Sequence, residues 1–171
     1  MRTLIHDPPP AELQAFLKRR RQLDQDRKDE IWEGVYHVVP APHDRHADLQ
    51  AQIIVLLNPP ARRAGLRPRG EFNLGEPKNF RVPDAALLRP GPGGVYLPTA
   101  ALVVEILSPG DETWQKLPFY AAHHVDELLI LDPDTRTIHW LALTADDYKP
   151  IEQSALIDLG PTKLALQIDW P

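Results

Sequence analysis

Apolar positions along this chain follow two periods. After Pro8-Pro9-Pro10, Leu13, Phe16, Leu17 and Leu23 recur close to the helical repeat, with Lys18, Arg19, Arg20 and Arg21 largely off the stripe. That spacing predicts an amphipathic helix packed on the domain or on a second copy of the chain. Leu49, Ile53, Leu56 and Leu57 mark one face of a second helix over 45–57, with Asp44 as its N-cap, His46 in its first turn and Pro59-Pro60 as its stop. The other apolar runs are short and continuous or alternating, which is the signature of strands. Residues 31–39 read as a hairpin or bent strand turning at Gly34, and 66–74 as a strand carrying Glu71. After a turn over 75–79, residues 81–88 read as a strand containing Pro83-Asp84, and 102–108 as a strand closed by Ser108-Pro109-Gly110. A helix from near Asp111 to His123, strands at 127–131 and 137–143, and two weaker strand candidates complete the chain. Strands with a few helices and no internal repeat make an α/β or α+β domain with a mixed sheet.

One residue breaks the pattern. Glu105 stands among Val103, Val104, Ile106 and Leu107, in a run that reads as buried on both faces. An ionised carboxylate there loses several kcal/mol of hydration unless a cation or hydrogen-bond donors replace the water. Asp84 lies in the preceding apolar strand, and the loop between them is too short for a crossover helix, so antiparallel neighbours are the simplest arrangement. A ladder spacing of about 4.8 Å would then put both carboxylates on one face. Two anions that close require either a shared proton or a cation between them. Glu71 and His46 are candidates to complete a metal shell or orient its waters, and Glu33 is a further auxiliary candidate. Lys116 falls in the first turns of the helix that leaves the Glu105 strand, where an ammonium can reach back over the same sheet edge and oppose charge on a phosphate. The competing readings are local: a turn cap after Pro83 for Asp84, a buried ion pair with Arg81 or Arg89 for Glu105, and core or interface packing for Tyr120.

Composition narrows the chemistry. A chain of 171 residues, 43% of them hydrophobic, fits one domain with a substantial core, and residues 1–28 are expected to form a helical arm on a domain over 29–171. With no cysteine, thiolate metal sites and a Cys nucleophile are excluded, and oxygen ligands select Mg²⁺ or Mn²⁺. No apolar run approaches membrane-spanning length and the N-terminus has no signal-like apolar segment, so a cytoplasmic protein is expected. The net charge of −5 argues against coating nucleic acid by bulk electrostatics. Arg19, Arg20 and Arg21, and the group Arg62, Arg63, Arg67 and Arg69, are local basic clusters that either meet phosphates or form ordinary solvated surface.

The ordered set Pro83-Asp84, Val104-Glu105-Ile106-Leu107-Ser108-Pro109, Lys116-x-x-x-Tyr120, Val125-x-Glu127 and Asp132-Pro133 resembles the Uma-two family of putative restriction endonucleases, within the PD-(D/E)XK nuclease superfamily. The resemblance implies a restriction-endonuclease-like mixed sheet flanked by helices and Mg²⁺-dependent hydrolysis of DNA phosphodiesters. It also implies Asp84, Glu105 and the backbone carbonyl of Ile106 as metal ligands and Lys116 as the catalytic lysine. The wider superfamily places its lysine two residues after the glutamate, where this chain has Leu107; the family resembled carries it on the following helix, which matches Lys116. Pro118 interrupts that helix, and His124 stands where relatives tend to have Gly. The expected function is a metal-dependent DNA endonuclease, with Arg62, Arg63, Arg67 and Arg69 on the DNA backbone and a homodimer to cut both strands. The alternative is a nuclease-fold module, weak or inactive in catalysis, that binds DNA or protein.

Overall fold

Two of the expected strands are each split in two, and the splits build the architecture. The computed structural model describes residues 3–6, 9–110, 112–145 and 147–171; Pro8 and the expected helix start at Asp111 lie outside the described residues. The strands form two six-stranded mixed sheets. The first runs, in spatial order, β1 (Thr3–His6), β3 (Val35–Val38), β2 (Glu30–Trp32), β6 (Asn79–Arg81), β5 (Asn73–Glu76) and β8 (Tyr96–Leu97). The second runs β12 (Asp147–Pro150), β11 (Thr137–Thr144), β10 (Glu127–Asp132), β9 (Leu102–Ile106), β7 (Ala85–Leu88) and β4 (Arg67–Arg69).

The run 66–74 is β4 in the second sheet and β5 in the first, with Gly70-Glu71-Phe72 between them. The run 81–88 is the end of β6 in the first sheet and β7 in the second, broken at Val82-Pro83-Asp84. Pro83 cannot donate to a ladder, so pairing has to stop there. The chain therefore crosses between the sheets at Glu71 and again at Asp84. The hairpin of β2 and β3 turns, as expected, at Gly34, with Glu33 at φ +50° and Gly34 at φ +85°.

Helix α1 (Ala11–Gln22) forms where the spacing predicts, but it buries none of its residues: Leu13 and Leu17 are half-covered, and Phe16 and Leu23 are exposed. It is fastened by Arg20, whose Nη2 lies 2.8 Å from Asp29 Oδ1, while Tyr36 and the Val39 N–H donate to the same buried carboxylate at 2.9 Å each. Part of the first basic cluster thus serves the arm itself.

Helix α2 (Asp44–Arg63) departs from expectation at both ends. His43 rather than Asp44 is the N-cap, its Nδ1 accepting from the Arg45 N–H. Pro59-Pro60 does not stop the helix. Pro60 and Ala61 extend the buried stripe of Leu49, Ile53 and Leu57, so packing outweighs the lost helical hydrogen bonds. The chain turns out instead at Gly65, φ +74°, with the Leu66 N–H donating to the Ala61 carbonyl at 2.8 Å.

The expected helix over 111–123 is a 3-10 turn, Thr113–Lys116, followed by α3 (Leu117–Ala122), with Pro118 in the first turn of α3, where its missing N–H costs least. Of the two weak strands expected at the end, one is β12. No second strand follows it; the chain instead forms α4 (Pro161–Ala165), capped by Gly160 and begun by Pro161.

Strands β7 and β9 are buried throughout. On β9, Leu102, Val104 and Ile106 pack against Leu49, Ile53 and Leu57 of α2 and against Ile157, Leu164 and Ile168 of the C-terminal segment. Val103 packs on the other face with Tyr120 of α3 and Val125. Strand alternation therefore places Glu105 on the α3 side.

Candidate functional site

Strands β7 and β9 are antiparallel neighbours, with Ala85 opposite Val104 and Ala86 opposite Val103. Continuing that register by one residue sets Asp84 opposite Glu105. Asp84 is anchored across the pair by the Ile106 N–H, which donates to its Oδ2 at 2.8 Å. Both carboxylates are buried, Asp84 at 9% exposure and Glu105 at 4%, and both line a cavity of about 380 Å³. Neither Arg81 nor Arg89 compensates Glu105. Arg81 donates to the Ile31 carbonyl and stacks between Trp32 and Phe119, and Arg89 pairs with Asp126 at 2.6 Å.

The cation beside Glu105 is Lys116. Its Nζ lies 3.0 Å from Glu105 Oε1 and 2.9 Å from Glu30 Oε1, and the side chain is 9% exposed. The turn Thr113–Lys116 starts just beyond the end of β9, which lets this residue fold back over the strand it follows. Burial alone would weaken the hold of Lys116 on its proton, but Glu105 and then Glu30 outweigh it and keep the ammonium well above its ordinary value. Tyr120, on α3, donates its hydroxyl to Glu105 Oε1 as well. Burial pushes the Glu105 carboxyl up to about 7; Asp84 and Glu30 add to the rise, and Lys116 and the Tyr120 hydroxyl oppose it. Three buried carboxylates, Glu30, Asp84 and Glu105, thus stand in or beside the cavity that holds the buried Lys116 ammonium.

Helix α2 supplies the opposite wall. His46 Nε2 lies 2.8 Å from Asp84 Oδ1 and its Nδ1 3.2 Å from Ser108 Oγ. Gln50, one helical turn on and so on the same face, donates to the Asp84 carbonyl at 2.6 Å and to Glu71 Oε1 at 3.2 Å. One glutamine therefore ties together the two points where the chain changes sheets. Glu71 also lies 2.5 Å from Lys28 Nζ, at the rim of the cavity. Val39, Pro40, Ala41, Pro42, Pro109 and Gly110 form its less polar side.

Of the residues singled out in the sequence, Asp84, Glu105, Ile106, Lys116, His46 and Glu71 all line this cavity. Glu33 does not. It sits in the β2–β3 turn, its N–H donating to Asn79 Oδ1 at 3.2 Å. Arg62, Arg63, Arg67 and Arg69 are exposed, away from the cavity lining. Glu30, Gln50 and Tyr120 were not assigned to the site from sequence. Tyr120 had a usable signal, since it stands four residues after Lys116 and shares its helical face. Glu30 had none, because its partner lies 86 residues away.

The donors present fit a hard divalent cation. Two carboxylates share one sheet face, and no donor from the described residues is placed on Glu105 Oε2. Among the described residues no three His, Asp or Glu side chains converge as a preformed shell. Asp84, Glu105 and the Ile106 carbonyl are the groups that would hold the cation.

No helix among the described residues is long and apolar enough to cross a membrane. A comparison with curated proteins gives no match. Among solved structures the chain is similar to a protein from Anabaena variabilis described as a putative nuclease belonging to DUF820. The match has a TM-score of 0.64 and 17% identity, covering 81% of this chain and 90% of that one. At that identity the likeness speaks for the fold, a nuclease-like mixed α+β architecture. The sequence profile of the Uma2 family, "putative restriction endonuclease", matches residues 13–169. With nearly the whole chain matched, this protein belongs to the Uma2 family.

Proposed function

We propose that this protein is a divalent-metal-dependent DNA endonuclease that hydrolyses phosphodiester bonds with Mg²⁺ or Mn²⁺. The observation that carries the reading is the opposition of Asp84 and Glu105 across β7 and β9, with the Lys116 ammonium 3.0 Å from Glu105 in a shared cavity. Family membership supports the same class of reaction. A bound divalent cation would supply Lewis-acid polarisation of the scissile phosphate.

The chain's own residues do the rest. Asp84 is fixed by the Ile106 N–H and by His46, so its carboxylate needs little reorganisation to receive a cation. Lys116 uses two of its three N–H donors on Glu30 and Glu105, which leaves one for a water or a phosphate oxygen. As a fixed positive charge in a poorly hydrated site, it opposes the negative charge that grows on the phosphate during attack. His46, held between Asp84 and Ser108, is placed to orient a water at the cavity wall. Cutting both strands of a duplex calls for two copies related by a two-fold axis, and a homodimer is part of the proposal.

Plasmid nicking with Mg²⁺ or Mn²⁺ tests the reading. The wild-type protein is expected to nick supercoiled DNA, and Asp84→Ala to lose at least 10²-fold in rate, on the scale of removing a metal ligand or its immediate support. Equal cleavage by both proteins would sink the assignment. The contrasting reading, a binding module without useful catalysis, draws on Leu107 at the superfamily's lysine position and on a Lys116 already shared between two carboxylates. Calorimetry with millimolar Mn²⁺ separates the two, since an absence of heat favours the module.

A further inference from the structure

Glu30 is buried at 2% exposure on β2, in the first sheet, yet its carboxylate reaches the site in the second. Its Oε1 accepts from Lys116 Nζ at 2.9 Å and from the Val82 N–H at 2.9 Å, and its Oε2 from Trp32 Nε1 at 2.6 Å. These contacts fix the carboxylate against the ammonium that Glu105 also holds. Glu30 and Glu105 both contact Lys116 Nζ, so the ammonium is the group that links Glu30 to the carboxylate pair.

An ammonium held by Glu105 alone would sit on that carboxylate as a competitor for any cation arriving there. A second anion of equal reach draws part of the attraction away. We propose that Glu30 is a positioning residue that divides the Lys116 ammonium with Glu105, keeping it at the cavity wall and leaving Glu105 available to a divalent cation. The inference rests on the metal-dependent reading above. It assigns Glu30 a role in metal affinity beyond its anchoring of Val82 and Trp32.

A double-mutant cycle on Mn²⁺ affinity, read by calorimetry on the full chain with no DNA present, tests it. Glu30→Gln keeps the size of the side chain and an oxygen acceptor but removes the charge. It is expected to weaken Mn²⁺ binding tenfold or more. In a Lys116→Met background there is no ammonium to divide, and the same exchange is expected to change the affinity less than threefold. Equal losses in both backgrounds would overturn the inference and leave Glu30 a structural anchor, as would unchanged affinity in the Lys116 background. Thermal melting of each variant reports on folding. If Glu30→Gln does not fold, Glu30→Asp replaces it, retaining the charge but withdrawing it by one methylene. Its expected loss is threefold or more with Lys116 present and none with Lys116→Met, and equal effects again overturn the proposal. Absence of Mn²⁺ heat from the wild-type protein is a different failure, because it removes the metal reading itself and the inference with it.

Discussion

His124 closes α3 with φ +53°, the left-handed conformation that an L side chain adopts at a cost of about 1–2 kcal/mol and glycine adopts freely. The geometry is that of a helix C-terminus, with the Val125 N–H returning to the Tyr120 carbonyl at 3.1 Å. The side chain is exposed, and the Thr99 hydroxyl donates to the backbone carbonyl of this residue at 3.1 Å. His124→Gly is therefore expected to stabilise the fold by about 0.5–1 kcal/mol after the extra entropy of a glycine in the unfolded chain is subtracted. A thermal melt should move upward by a few degrees, and a fall would show that the imidazole makes a contact worth more than the backbone strain. Anomalies of this kind are what a sequence displays at the residue scale. Glu105 is conspicuous because a carboxylate in an apolar strand needs a partner, and Asp84 because it follows a strand-breaking proline. Glu30 gives no such signal, since it follows Asp29 in a polar stretch and is buried only because β2 lies beside the site.

Helix α2 shows the same division at the scale of an element. Its apolar stripe and its first turn are readable from spacing, and with them the placement of His46 near the sheet. Its end is not, because local propensity says that two prolines terminate a helix while the core rewards continuing it. Pro59 is exposed and Pro60 buried, which separates the two effects. Pro59→Ala returns an N–H able to bond the Val55 carbonyl without removing a core contact, and is expected to stabilise the protein by about 1–2 kcal/mol, less than the full proline penalty because the unfolded chain also gains freedom. Urea denaturation should show a higher midpoint with an unchanged slope. A lower midpoint would mean that the proline ring is itself part of the packing. The split strands were hidden for a related reason. Residues 66–74 and 81–88 have strand-like composition on both sides of each break, so nothing local marks where one sheet ends and the other begins. The two breaks nonetheless deliver Glu71 and Asp84 to one cavity.

At the scale of the whole molecule, the proposed reaction must reconcile a polyanionic substrate with a net charge of −5. Attraction then has to be local, and position in the fold ranks the four arginines that sequence grouped together. Arg62 lies 16 residues along α2 from His46, roughly 24 Å at 1.5 Å per residue, which carries it away from the carboxylates. Arg69 stands opposite Ala86 in the β4–β7 ladder, two residues from Asp84 and so roughly 8 Å of backbone from it by strand spacing. A phosphate next to the scissile one lies within reach of the second position and out of reach of the first. Under the proposed function, Arg69→Ala should weaken duplex binding and reduce the slope of log affinity against log salt by about one, the signature of one lost phosphate contact. Arg62→Ala should leave both nearly unchanged. Fluorescence anisotropy of a labelled duplex without divalent cation, across a salt series, measures the two effects while preventing cleavage. If Arg62 proves the more sensitive, the DNA path runs along α2 toward its C-terminal end, and the cavity at Asp84 and Glu105 is not where the backbone is held.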